Sequence, residues 1–181
     1  MTISAALAEY YASASTDSYI VLVGTLDHPA WPEPQHMISG VDPDPDNPDY
    51  RVMMPKEGGG TLSCIPCAFG ITPLGHDRDG PTDGRVTIDN VNDLLESHLE
   101  AGLGYNEPIT VEIRTYLVPP AGLGAVTEPD EVIEGLILRE VTFPSMSRAE
   151  GTISFIDGRE QNVPTGPNAF FTRDEYPGLF G

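Results

Sequence analysis

Residues 109–118, ITVEIRTYLV, alternate almost without fault. Ile109, Val111, Ile113 and Leu117 fall on one face, and Glu112 and Arg114 fall on the other. Side chains on a strand alternate faces with period two, so this segment predicts a half-buried strand with its charged residues toward water. Residues 19–26, YIVLVGTL, have no polar face at all and predict a strand covered on both sides. Shorter patterns of the same kind fall at 35–40, 51–54, 61–71 and 85–88. Val132 to Phe143 and Gly151 to Ile156 predict an antiparallel pair around a connection at 144–150.

Helical spacing is scarce. ISAALAEYYASAS near the start is Ala-rich, with Leu7, Tyr10 and Tyr11 at helical intervals, and predicts one short helix. Asn90 has the character of an N-cap, with Asp93 three residues on. It predicts a second helix through Val91, Leu94, Leu95 and Leu99, closed by Gly102 or Gly104. Between these elements stand an acidic run at 42–49 (DPDPDNPD), a glycine turn at Glu57–Gly60 and a polar turn at 75–84. Repeated Pro and Asp exclude helix and interior strand, so the acidic run is an exposed loop. The pattern as a whole predicts one β-rich α+β domain over residues 1–181, an antiparallel β-sandwich or barrel with one or two short helices and an extended C-terminal segment.

Composition strengthens this reading. With 19 Gly and 18 Pro among 181 residues, breakers are too frequent for a helix bundle. No apolar run is long enough to span a membrane, and the first residues lack the basic start and apolar core of a secretory signal. The expectation is a soluble protein with no membrane partner. Nine Lys and Arg against 28 Asp and Glu give a net charge of −19. Such a surface repels phosphates, so stable nucleic-acid binding is not expected.

Candidate chemistry is thin. No G-x-S-x-G turn, P-loop or dinucleotide fingerprint occurs, and the four histidines share no ligand spacing. His28, His36 and His76 fall in predicted loops, and His98 in the second predicted helix. Asp42, Asp44 and Asp46 imitate the start of a Ca²⁺ loop, but Asn47 and Met53 stand where it needs Gly and Glu. Asp77, Asp79 and Asp83 in the second polar turn lack the same glutamate. The pair Cys64 and Cys67, in CIPC, has no second pair to complete a zinc site and no helix to acidify a thiolate, so two buried structural cysteines are expected. Cys67 with His76 is the sole nucleophile–base pairing the sequence offers, and it has no third group to orient it. No cofactor, metal or catalytic residue is expected, and the protein is not expected to be an enzyme.

The stretches ALAEYYASASTDSYIVLVGTLDHPAWPEP, CAFGITPLG, RVTIDNVNDLL, ITVEIRTYL, VIEGLILREVTF and DEYPGLFG, taken in order, resemble a set of tailed-bacteriophage proteins. These form Domain of Unknown Function family 1833, whose members are encoded among tail genes near the tape measure. The acidic run at 42–49 and CIPC depart from the family's pattern. The resemblance implies a structural minor tail protein of a long-tailed phage, made in the host cytoplasm and carried in the virion. Its expected place is the distal tail or tail tip, between the tail tube and the baseplate hub. The implied partners are copies of itself in a ring, with a hexamer favoured and a trimer possible, and the tail tube, tape measure and hub or tip proteins.

In that setting the acidity keeps transiting DNA from adhering to a channel wall. Carboxylates at Asp42–Asp49, Asp77–Asp83, Glu112 and Glu140 are candidates for the wall. The tail at 164–181, with Phe170, Phe171, Tyr176 and Phe180, is expected to dock on a neighbour. An alternative reading is a receptor- or carbohydrate-binding module at the tail tip, presenting aromatics such as Trp31 and Tyr105. A tail-associated peptidase or muramidase is a third class.

Overall fold

The computed structural model describes residues 3–13, 17–47, 49–72, 76–77, 80–81, 83–89, 98, 107–145 and 148–155. The elements in chain order are helix α1 (Ala5–Ser13) and strands β1 (Tyr19–Asp27), β2 (Gln35–Ile38), β3 (Val52–Pro55), β4 (Thr61–Pro66) and β5 (Phe69–Thr72). Then come β6 (His76–Asp77), β7 (Gly80–Pro81), β8 (Gly84–Asp89), β9 (Ile109–Val118), β10 (Glu131–Ser145) and β11 (Arg148–Phe155). Strands β6 and β7 form a small ladder of their own. The other nine form one sheet in the order β3-β4-β2-β1-β9-β10-β11-β8-β5. The fold is β-rich α+β, and the sheet is mixed, because β2 and β4 run parallel while the remaining pairs are antiparallel.

The strands stand where the alternation places them. Several boundaries differ from the sequence reading, and the single pattern at 61–71 is two strands, β4 and β5, with Cys67 and Ala68 between them. Strand β10 continues through Pro144 to Ser145, and β11 begins at Arg148, so the connection is tighter than 144–150. His36 lies on β2, within the short pattern predicted at 35–40, and the polar turn at 75–84 contains the β6–β7 ladder. The predicted helix from Asn90 and the C-terminal segment lie outside the described residues, apart from His98.

Strands β4 and β5 stand toward opposite ends of the sheet order, yet only Cys67 and Ala68 separate them. The Cys67 N–H donates to the Ile38 carbonyl at the end of β2 (3.1 Å), and the Asp89 N–H at the end of β8 donates to the Ala68 carbonyl (2.9 Å). Two linking residues leave three Cα–Cα steps between Pro66 and Phe69, at most about 11 Å, so the link brings the β2 side and the β8 side of the sheet together.

Two glycines matter for packing. Gly151 on β11 sits so close to β10 that a Cβ there would lie 2.5 Å from Leu138 Cδ1 and 3.0 Å from the Glu140 carbonyl oxygen. Gly135 (φ 76°) occupies the register shift between Ile133 and Leu136, where β10 gains a residue over β9. A left-handed backbone favours glycine at such a bulge. Helix α1 is pinned through Ser4. Its hydroxyl donates to Asp130 Oδ1 (2.5 Å) and accepts from the Leu7 N–H (3.0 Å). Asp130 Oδ2 in turn accepts from the Leu117 N–H on β9 (2.7 Å).

The sheet buries apolar side chains on both faces of β1 and β9. One cluster joins Leu26, Val111, Ile113, Leu136, Ile153 and Phe69, with Trp31 and Cys67. The other joins Val21, Val23, Tyr116 and Val118 to Val52 and Met54 of β3 and to Leu62 and Cys64 of β4. The β3–β4 hairpin thus covers the second face of β1 and β9.

Candidate functional site

Position 114 follows the polar face of the alternating strand, and the sequence assigns it to water. The structure corrects this: Arg114 is 1% exposed. Its face of β9 also carries Tyr116 and Val118, and the hairpin has closed over all three. The guanidinium is held from three sides. Nε donates to Glu57 Oε2 (2.8 Å) and Nη2 to Glu57 Oε1 (2.7 Å), a two-point fork in which arginine geometry matches a carboxylate. Nη2 also donates to Glu112 Oε2 (2.8 Å), and Nη1 donates to Thr25 Oγ1 (3.2 Å). Thr25 Oγ1 lies 3.0 Å from His36 Nδ1. Next to the fork, the Tyr116 hydroxyl donates to the Pro55 carbonyl (2.7 Å) at the end of β3.

The turn supplies Glu57. Between β3 and β4 the chain runs Lys56-Glu57-Gly58-Gly59-Gly60, and all three glycines have positive φ. The Lys56 N–H donates to the Gly60 carbonyl (3.1 Å), closing the turn and setting Glu57 over Arg114.

The electrostatics follow from this geometry. The hydrogen bonds from Arg114 hold the Glu57 carboxyl down at about 2, well below the usual glutamate range. The same bonds raise Arg114 further above its ordinary value, so it stays a cation at every accessible pH. Burial, then the nearby Arg114 and Lys56, lower His36. Burial raises the Tyr116 hydroxyl, keeping it a neutral donor. The cluster therefore holds a fixed cation between two carboxylates that are each about a third exposed. Its chemistry is that of a clamp, with the charged groups tying the hairpin turn to β9.

The sequence-predicted chemistry falls elsewhere. Cys64 lies in the cluster beneath the hairpin and Cys67 in the other cluster, so the i, i+3 spacing turns the two thiols toward different cores. Both are free and buried, and burial pushes each thiol up to about 12, far from a nucleophile's range. The His76 side chain lies outside the described residues, so its pairing with Cys67 is not brought together here. His28 is buried: its Nδ1 accepts from the Ala30 N–H (3.1 Å) and its Nε2 donates to the Glu107 carbonyl (3.0 Å). Trp31, expected on the surface as a binding aromatic, is 7% exposed and donates from Nε1 to the His98 carbonyl (2.7 Å). This removes Trp31 from the aromatics that the carbohydrate-binding reading named. Tyr105, Phe170, Phe171, Tyr176 and Phe180 lie outside the described residues.

Asp42, Asp44, Asp46 and Asp49 are exposed, as the Pro/Asp pattern requires. Among the described residues no group of three or more His, Cys, Asp or Glu is placed to hold a metal ion, and no helix is long and apolar enough to cross a membrane. A shallow depression of about 430 Å³ lies over β5 and β8, bordered by Gly70, Thr87, Asp89 and Arg148. None of the predicted site residues lines it.

The model of a family described as Domain of unknown function (DUF1833) matches residues 6–164 of the chain. The chain belongs to this family. Its match runs from within α1 through every strand of the sheet. A comparison with curated proteins gives no match. The Arg114 clamp had one signal in the sequence, an arginine inside a β-branched strand of a chain with only nine basic residues. Its bidentate partner Glu57, 57 residues away, had none.

Proposed function

We propose that this protein is a structural minor tail protein of a long-tailed phage, part of the distal tail or tail tip between the tail tube and the baseplate hub. In this reading the sheet is curled into a barrel, and copies associate as a ring through which DNA passes. The observation that carries it is the two-residue link at Cys67 and Ala68, which joins the two sides of the sheet. The link ties the two sides of the sheet into one frame suited to stacking, with β3 and β5 as its edge strands. Residues 6–164 match the family model, and the tail role is the reading we draw from that membership. The net charge of −19 supports a wall that phosphates do not adhere to.

The ring's partners are further copies of this chain, six rather than three, with the tail tube, tape measure and hub proteins above and below. The segment at 164–181 serves as a docking arm. Native mass spectrometry of the full chain over a range of concentrations, with cryo-electron microscopy of an intact tail tip, tests this reading. The expected result is a discrete ring species and density for the nine-stranded sheet beside the channel. A strictly monomeric chain and a tip without this fold would overturn it.

A further inference from the structure

The β3–β4 hairpin is attached to the molecule by little backbone. Among the described residues, strand β3 pairs only with β4, and β4 meets the rest of the sheet at two register positions, Met37 with Ile65 and Ile38 with Pro66. By contrast β1 and β9 pair over nine consecutive positions, from Tyr19 with Val118 to Asp27 with Thr110. What holds the hairpin down is side chains: the apolar contacts of Val52, Met54, Leu62 and Cys64, the Tyr116 hydroxyl on Pro55, and the Arg114 fork on Glu57. Before it runs the exposed acidic loop of Asp42 to Asp49, and at its tip stand three glycines with open space around them. A segment with few ladder bonds and exposed flanks is the kind that opens below the threshold of global unfolding.

The hydrogen-bond polarity in the clamp is one-way. A guanidinium only donates, so Thr25 Oγ1 accepts from Arg114. The single hydroxyl proton of Thr25 is then available to His36 Nδ1 in the neutral tautomer that carries its ring proton on Nε2. Once His36 is protonated, Nδ1 becomes a donor aimed at an oxygen that already accepts from a cation, and the Thr25 proton loses its acceptor. The charged groups around His36 come from three elements. Arg114 on β9 and Lys56 on the hairpin oppose its charging, while Glu112 on β9 and Asp27 on β1 favour it.

We propose that the β3–β4 hairpin is a flap over β1 and β9, latched by Arg114 onto Glu57 and loosened by protonation of His36 through the Thr25 hydroxyl. The direction follows from linkage. In the latched form burial and Lys56 on the hairpin disfavour a charged His36; opening carries Lys56 away and admits water while Arg114 on β9 stays, so protons bind the opened form better. The latch is at full strength above the ordinary histidine range and weakens as pH falls through about 6.5. Opening bares Val21, Val23, Tyr116 and Val118 while the cluster on the opposite face stays packed.

The two cysteines report the two faces separately, Cys64 beneath the hairpin and Cys67 in the other cluster. The full-length chain is treated with a small thiol reagent from pH 7.5 to 5.5, and the labelling ratio of Cys64 to Cys67 is read by peptide mass. The ratio cancels the common loss of thiolate at low pH. The expected result is a ratio that rises severalfold as pH falls from 7.5 to 5.5. His36→Gln should flatten the profile, and Glu57→Gln should raise the ratio at every pH while leaving its slope. A flat wild-type profile, or an unchanged slope in His36→Gln, overturns the proposal. If His36→Gln does not fold, hydrogen exchange in the wild type decides. Faster exchange at Met54 and Leu62 than at Val111 and Leu136 as pH falls supports the flap, and equal acceleration at all four overturns it.

Discussion

The clusters on the two faces of β1 and β9 share a sheet and differ in how they are closed. The cluster of Leu26, Val111, Ile113, Leu136 and Ile153 is closed by the ladder itself, because its residues come from strands paired along their length. The cluster of Val21, Val23, Tyr116 and Val118 is closed by a hairpin laid over it. Its seam carries an arginine, a tyrosine hydroxyl and a glutamate, each bonded across the seam. Apolar burial is non-directional and fixes only that something covers the face. The polar bonds fix which turn covers it and in what register. One face is thus held by hydrophobic content, the other by hydrophobic content plus a specific lock.

The largest contrast is expected from matched truncations. Leu136→Ala, at a site with no exposure, should cost about 2–5 kcal/mol in urea unfolding and leave a single cooperative transition. Leu62→Ala beneath the hairpin is 6% exposed, on a strand that can yield. It should cost about half as much and raise Cys64 labelling before the main transition. Equal costs and one shared transition would merge the two regions into a single cooperative unit.

Arg114→Met comes next. Removing one member of a buried ion pair typically costs about 3–5 kcal/mol, and here the carboxylates can rehydrate because each is about a third exposed. A loss of about 2–3 kcal/mol is expected, read in chemical denaturation, with Cys64 labelling faster and Cys67 labelling nearly unchanged. Gly151→Ala tests the ladder side at similar size. Its new Cβ would lie 2.5 Å from Leu138 Cδ1, against Leu138 and the backbone of β10, and should cost about 1–3 kcal/mol.

The same contrast explains what was legible in the sequence. The ladder side follows from periodicity, since Ile109, Val111 and Ile113 announce an inward face and YIVLVGTL a strand covered twice. The hairpin was legible as two short strands about a Gly turn, but its docking face was not. Alternation at Glu112 and Arg114 reads as solvent exposure, because period two says which residues share a face and nothing about what lies against it. A carboxylate 57 residues away reversed the sign of the expectation for Arg114. Trp31 misled for a related reason. Flanking prolines mark a loop, yet the indole donates to the His98 carbonyl and packs into the first cluster.

Acid should distinguish the faces more gently. In the folded chain Glu57 titrates at about 2, below its ordinary value, so its pairing stabilises the fold above the unfolded glutamate range and that contribution fades as pH falls from about 4.5 toward 2. Because the carboxylate is partly open to water, about 1–2 kcal/mol is expected rather than the full shift. Stability measured against pH for the wild type and Glu57→Gln should converge near pH 2 and separate by that amount at neutrality. Parallel curves would mean that the fork adds nothing.

The smallest effect belongs to Thr25, and it is the most discriminating. Its hydroxyl is the shared atom between Arg114 and His36, at 3.2 and 3.0 Å. Thr25→Val keeps the shape and removes the oxygen, so Arg114 Nη1 loses one acceptor while its bonds to Glu57 and Glu112 remain. A neutral hydrogen bond is worth about 1 kcal/mol net, and leaving one of several guanidinium donors unpaired should cost about that. Thr25→Ser keeps the oxygen and removes a methyl, so its cost at a 6% exposed site should be of the same order, about 1 kcal/mol. Stability alone therefore does not separate the two variants, and the proton dependence does. The Cys64-to-Cys67 labelling ratio should keep its rise toward low pH in Thr25→Ser and lose most of it in Thr25→Val. If both variants keep the slope, His36 acts on the hairpin by charge across space. If both lose it, the methyl packing of Thr25 sets the latch, and the hydroxyl relay is wrong.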